Sequence, residues 1–449
     1  MKKGPLTFMV MCLFLTGILF LSCQIEEPVS LADEEIRLTA ASTAIEIARN
    51  FLISENAMVS NADWASRAEI TKAYPMYLDG IEDPSYYDCK VTVDGKDAGY
   101  VIVNVNQTDI PVLEYSTEGI TTSEQFSNET KISIRELKIY RYNNFEYIAE
   151  KRQKSTKSEN PVLAELGFTN GGNIKTIDNE NAEKIKTRRN RFRNNVMENN
   201  CAPKYTTEEL KRIHQQNADA DKLTKGTTRW TSDELNNTFT SGWHLPQWTQ
   251  AKITINGSQY SVGCSPLAIT MCYAYWKQFK GKTQLFGGAN LNNYSYSSHS
   301  SSSVVLSAVR EIAGDLGTTY NNGAGSTNMS VAREDDIDNY GDDRGYSFTC
   351  DVDYGGDWAK GQNAYSRIKN HDQPIAVSMN TEGNEASNHT VAIEGVKYKE
   401  YQALWTWYNR EMWLLMNYGW GNKRVWVCTY NRYNNGAETE TQGFYHFWD

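Results

Sequence analysis

The chain has little of what metal chemistry and disulfide scaffolds require. Its 449 residues include only 6 histidines and 8 cysteines. No CxxC pair occurs and no histidines stand at ligand spacing, so no metal is expected. Cys89, Cys201, Cys264, Cys272, Cys350 and Cys428 are scattered too thinly for a disulfide framework, which a chain this long does not need. Positive charge is also in deficit. A formal charge of −10, with no basic stripe interleaved with aromatics, excludes a nucleic-acid surface. The one basic stretch, Lys184–Arg193, reads as a solvated linker or a protease-sensitive site. There is no internal repeat, and no cofactor is expected.

Long apolar runs are missing, with one exception. Met1-Lys2-Lys3 leads into an apolar run from Leu6 to Leu21, too short for a comfortable membrane span and suited to an export signal. It ends Phe20-Leu21-Ser22-Cys23, and a small residue before cysteine resembles a bacterial lipobox in which Cys23 is lipidated. Gln24-Ile25-Glu26-Glu27 resembles the acidic export tag of some surface lipoproteins. The expectation is an exported lipoprotein of a bacterial outer membrane, periplasmic or surface-exposed, held to the membrane through its lipid. An ordinary signal peptide with an incidental cysteine is the alternative.

What is present divides the chain into stretches. Residues 1–22 form the signal and 23–40 a polar tether. Residues 41–126 form a small α+β unit: Ala44, Ile47, Ala48, Phe51 and Leu52 recur at helical spacing. Strand-like Cys89–Val93, Gly99–Val105 and Val112–Tyr115 follow, punctuated by Asp94-Gly95 and Ile110-Pro111. Residues 127–225 are polar, with one helix expected near Ile132–Lys151 and then a Lys/Arg/Asn-rich linker. Residues 226–449 hold most of the 27 Tyr and 12 Trp and many strand candidates.

Chemistry concentrates in the last region. Ser261-Val262-Gly263-Cys264-Ser265-Pro266 precedes one apolar run, Leu267 to Trp276, so the spacing predicts Cys264 at a helix N-terminus after a glycine turn. There the helix dipole and unpaired backbone N–H groups favour the nucleophilic thiolate. A buried structural cysteine is the alternative, and Cys272 on the same helix reads as core. Downstream, His389 opens the strand-like Thr390-Val391-Ala392-Ile393, with Gly395 as its turn. Asn417 ends the apolar strand Trp413–Met416, before Tyr418-Gly419-Trp420-Gly421. A cysteine early with His and Asn late is the order a thiol nucleophile, a base and an orienting amide take in papain-like peptidases. The oxyanion needs a donor upstream of the cysteine: Gln247 in Gly242-Trp243-His244-Leu245-Pro246-Gln247-Trp248, with Gln250 and Gln259 as rivals, beside the Cys264 N–H.

These segments together resemble the streptopain family of papain-like cysteine peptidases, whose prototype ends in a His segment followed by Asn-Trp-Gly-Trp-Gly. Gly99–Val103 and Ile110–Ser116 look like that family's inhibitory prodomain. The resemblance implies an α+β papain-like domain over 226–449 behind an inhibitory prodomain over 41–126. It also implies Cys264 as nucleophile, His389 as base, Asn417 as orienter and Gln247 as oxyanion donor. Trp420 would shield the His–Asn bond and, with Gly263, line the substrate cleft. The expected product is an endopeptidase zymogen acting on proteins or peptides through a thioester, with its own prodomain as inhibitor. The family's Thr-Gly-Cys-Val-Ala-Thr-Ala is here Val-Gly-Cys-Ser-Pro-Leu-Ala, its first motif Trp is Tyr418, and the linker is long. Gly-Cys-Ser-Pro also resembles the bacteriocin-leader-peptidase-like group. A papain-fold acyl transferase or amidase, a silent binding lipoprotein, or an accessory rather than inhibitory 41–126 unit are the alternatives.

Overall fold

The computed structural model describes residues 31–55, 62–105, 111–152, 162–167, 174–177, 185, 187, 189–190, 228–239, 243–291, 302–321, 323–329, 332, 334–353, 357–381, 389–403, 406–421, 423–431 and 439–448. The signal, the lipobox cysteine, the Ile110 end of the Ile110-Pro111 turn and most of the linker lie outside them. Among the described residues no helix is long and apolar enough to cross a membrane.

Helix α1 (Leu31–Glu55) starts inside the stretch read as a tether. Its Ala44, Ile47, Ala48 and Leu52 are buried on one stripe, the spacing that puts residues on one helix face. A short α2 (Ala62–Arg67) leads into β1 (Ala68–Tyr77). Then come β2 (Tyr86–Val93), β3 (Lys96–Asn104) and β4 (Val112–Ser116), joined as an antiparallel meander. The β2–β3 turn is Asp94-Gly95, with both residues at positive φ (50° and 75°). That is the mirror-image turn a twisted hairpin favours. α3 (Thr122–Thr130) is capped by Thr121, whose side chain accepts from the Glu124 N–H.

The stretch expected to be helical near Ile132–Lys151 is a hairpin instead. β5 (Leu137–Asn143) pairs in parallel with β1 and antiparallel with β6 (Glu146–Lys151), and β7 (Val162–Leu166) and β8 (Ile174–Thr176) extend the sheet. Ile139, Tyr140, Tyr147 and Ile148 are buried; β-branched and aromatic residues suit a pleated, packed surface, and cross-strand partners decided the outcome. Part of the basic stretch is docked rather than solvated. Ile185 is buried, and Arg189 bonds Asp79 through Nε at 2.6 Å and reaches Glu150 through Nη1.

The second half is built on α4 (Cys264–Phe279), buried through most of its length. A helix apolar all round needs cover on every side. One cover is an antiparallel sheet in the order β14 (Thr349–Asp353), β19 (Thr439–Trp448), β15 (Ile375–Thr381), β16 (His389–Ala403), β17 (Thr406–Asn417), β18 (Arg424–Asn431). β9 (Thr228–Glu234) pairs the far end of β16. A smaller sheet holds β10 (Lys252–Ile255), β11 (Ser258–Ser261), β12 (Thr319–Asn321) and β13 (Ala324–Ser326). α5 (Ser303–Asp315) and α6 (Glu334–Asp342) lie with α4, and α7 (Asp357–His371) crosses β16. The architecture is α+β.

The two halves share one sheet. β18 pairs antiparallel with β4 through Trp426↔Tyr115 and Val427↔Glu114. α1 packs over the seam, so Ala44, Val101 and Tyr115 share a core with Trp413, Leu415 and Trp426. Two buried lysines of the second half are received there. Lys397 donates to Tyr115 Oη at 2.8 Å among the rings of Phe51, Tyr115, Trp230, Trp413 and Trp426. Lys423 donates to Tyr100 Oη at 2.6 Å and lies 3.4 Å from the Glu114 carboxylate. Desolvated cations are tolerable only with such partners.

Candidate active site

Cys264 opens α4, and the turn before it requires glycine. Gly263 sits at φ 101°, and a Cβ there would meet Gly325 O at 3.2 Å. On the facing sheet His389 is the first residue of β16 and Thr390 the second. The Thr390 N–H points at Cys264 Sγ from 3.5 Å, and the Ser265 and Thr390 hydroxyls bond at 2.7 Å. The helix start that carries Cys264 thus meets β16 at Thr390, the residue that follows His389.

Their electrostatics differ from the expected thiolate. Burial pushes the Cys264 thiol up, and the backbone N–H of Thr390 and the groups of Ser265 oppose that only in part. Desolvation is the largest of these effects. His389 is 1% exposed, and burial lowers its pKa to about 3 against the Tyr418 carbonyl, which raises it. The imidazole is neutral at ordinary pH. Its Nε2 lies 3.2 Å from Tyr418 O; a carbonyl only accepts, so Nε2 carries the proton and Nδ1 the lone pair. Both shifts favour the neutral forms, a thiol and an imidazole, over their ions.

Asn417 stands beside the Tyr418 turn but does not bond the His389 imidazole. Its Oδ1 accepts the Gly419 N–H at 3.1 Å, and its Nδ2 donates to Pro246 O at 3.2 Å and Glu394 Oε1 at 3.0 Å. The next residue, Tyr418, supplies the acceptor expected of Asn417. Trp420 is buried with its ring 5.8 Å from that of His389 and 5.2 Å from that of Tyr418. Gln247 is half-buried on a segment anchored at both sides: Pro246 O holds Asn417, and Thr249 bridges Trp420. Among the described residues no cluster of three His, Cys, Asp or Glu side chains is placed to hold a metal.

Two features escaped the sequence. Phe145, at the β5–β6 turn, is fully buried with its ring 5.0 Å from His389, 4.6 Å from Tyr418 and 6.3 Å from Trp420. Asn143 Oδ1 accepts the Phe145 N–H at 2.8 Å, and Arg141 bonds Asn144, so the hairpin tip is held in shape. Its sequence signal is Tyr142-Asn143-Asn144-Phe145-Glu146-Tyr147, a turn pair between aromatics. The second is Glu394, a charged residue inside an apolar strand, which is itself a signal.

No family model matches the chain, and no curated protein matches it either. Among solved structures it is similar to a fragment of prointerpain A from Prevotella intermedia, at 10% identity and a TM-score of 0.36. That alignment covers 83% of this chain and 98% of the other.

Proposed function

We propose that the chain is the latent form of a papain-like cysteine endopeptidase of streptopain type, with residues N-terminal to β9 as its inhibitory prosegment. The observation that carries the reading is the 3.5 Å approach of the Thr390 N–H to Cys264 Sγ, which sets the helix-start thiol against the residue that follows His389. The aromatic lid supports latency: Phe145 keeps water and substrate from His389, and an imidazole so buried cannot become the cation that a thiolate needs.

In the active form the prosegment has left and His389 is hydrated. Nδ1 takes the Cys264 proton, and the thiolate attacks the scissile carbonyl carbon while its oxygen becomes an oxyanion held by the Cys264 N–H and the Gln247 amide. The C–N bond breaks as His389 returns the proton to the leaving amine. Water, deprotonated by His389, then opens the thioester and restores the thiol. Tyr418 O keeps Nε2–H directed throughout.

Maturation requires a cut before β9, expected between about residues 150 and 230, where the sequence is polar and lacks strong secondary-structure signals. The catalytic fragment would be about 25 kDa, as expected for cleavage in a polar linker. Lipidation of Cys23 would leave the prosegment on an outer membrane; Cys23→Ser should move the uncut chain to the soluble fraction. The peptidase reading is tested with Cys264→Ala and His389→Ala, each expected to abolish casein hydrolysis while the protein stays folded. Full activity in either would refute it.

A further inference from the structure

Glu394 lies five residues past His389 on β16, in the middle of an apolar strand, and nothing in the hydrolytic steps uses it. It is fully buried, and both of its oxygens are bonded. Oε1 accepts from Asn417 Nδ2 at 3.0 Å; Oε2 accepts from Arg424 Nε at 2.7 Å and from the His244 N–H at 3.1 Å. The β16–β17 register places Ala392 against Asn417 and Ile393 against Met416, then shifts before Gly395 meets Leu415. The irregularity falls at Glu394. Such a bulge re-aims a side chain, here onto the neighbouring strand. Arg424, paired with Asn417 in the β17–β18 register, completes a row across three strands. Its guanidinium also reaches Glu234 at 3.3 Å and Glu118 at 3.5 Å.

The consequence lies in the amide of Asn417. Its nitrogen has two hydrogens, and both meet groups that accept and cannot donate: the Pro246 carbonyl and the Glu394 carboxylate. The amide therefore cannot flip, and Oδ1 faces the other way, onto the Gly419 N–H. That bond closes the turn Asn417-Tyr418-Gly419, in which Gly419 stands at φ 68°. The same turn carries the Tyr418 carbonyl that receives His389 Nε2. A chain of directed bonds thus runs from Arg424 through Glu394, Asn417 and the Tyr418 turn to the imidazole.

We propose that Glu394, held by Arg424, is a positioning residue that fixes the orientation of the Asn417 amide and, through the Tyr418 turn, the tautomer and tilt of His389. The proposal rests on the peptidase reading for its kinetic consequence, but not for its structural one. A neutral glutamine of the same shape turns an NH2 group toward either Arg424 or Asn417, both donors, so one bond of the row must break.

The test uses Glu394→Gln in the processed enzyme. We expect kcat to fall roughly 10- to 100-fold, the cost of a misplaced catalytic group, with KM within about twofold. In an Asn417→Ala background the same substitution should change kcat less than about twofold, because the group it acts through is gone. A merely structural role would instead lower kcat and thermal stability equally in both backgrounds. The second readout needs no activity. In the full-length Cys264→Ala chain, the His389 Nε2–H should give a slowly exchanging imidazole resonance, lost in Cys264→Ala/Glu394→Gln. An unchanged resonance overturns the proposal, as does an undiminished kcat loss in the Asn417→Ala background. If the processed wild type hydrolyses nothing while the resonance is lost as expected, the peptidase reading fails and the positioning role stands.

Discussion

Removing the Phe145 ring should open the site while leaving both halves folded. The ring is fully buried against His389 at 5.0 Å and Tyr418 at 4.6 Å. Burying a phenylalanine contributes about 3 kcal/mol at the upper end of its range. Aromatic pairs of this kind add about 1 kcal/mol each. Part of that is contact within the hairpin's own half, so about 3 kcal/mol is a fair measure of what the closed state loses in Phe145→Ala. At 1.4 kcal/mol per decade the open population rises roughly 100-fold. The assay is the initial rate at which iodoacetamide alkylates Cys264 in the uncut chain, read by peptide mass spectrometry. Cys272, buried on the same helix, serves as an internal control for global unfolding. A Phe145→Ala chain that stays cooperatively folded and alkylates Cys264 no faster than wild type would refute the idea that this hairpin is the lid.

Three further outcomes follow from the same geometry. Burial holds His389 at about 3, below its ordinary 6.5, so its closed neutral form contributes stability that is complete above about 6.5 and lost as pH falls toward 3. Hydrogen exchange at the hairpin amides of the Cys264→Ala chain, corrected for intrinsic rate, should rise up to about tenfold per pH unit below 6.5. Asp88, pushed up to about 7 by burial, has the opposite sign: its contribution is full below 3.8 and lost above 7. Global unfolding should therefore depend on pH less than hairpin exchange does, and equal slopes would contradict this. Lys423→Met strands the buried Glu114 charge and should cost about 3–5 kcal/mol in urea unfolding, recovered in large part by adding Glu114→Gln; no change in midpoint would show that the pair contributes nothing. Gln247→Ala should lower kcat about 100- to 1000-fold with KM little changed, the usual cost of an oxyanion donor. An unaltered kcat would send the search for that donor elsewhere.

The candidate nucleophile and base were legible because their signals are local. A glycine turn, a cysteine and an apolar run specify the start of α4, and His389 borders a strand whose apolar residues announce it. The strands β2 to β4 were legible for the same reason, whereas β1 was not read from the sequence. What was hidden depends on partners distant in sequence. The β5–β6 hairpin draws its cover from β1 and from the aromatic motif near Trp420, and a window of mixed charge could not reveal that. Arg189 looks solvated until Asp79, 110 residues away, closes on it. The upward shift of the Cys264 thiol was hidden similarly. The helix dipole is written in the residues after Cys264, whereas the burial that outweighs it is supplied by a sheet formed more than a hundred residues later. Asn417 was found by its motif, but its bond to Glu394 arises from a β16 irregularity that spacing does not announce.

The peptidase reading is tested most directly by titrating the processed chain with an epoxysuccinyl inhibitor and mapping the adduct. Reaction at Cys264 alone is expected, one adduct per chain, with hydrolysis lost in proportion and no adduct in the uncut protein over the same interval. A processed chain that leaves Cys264 unmodified, or that carries the label elsewhere while still hydrolysing protein, would contradict it.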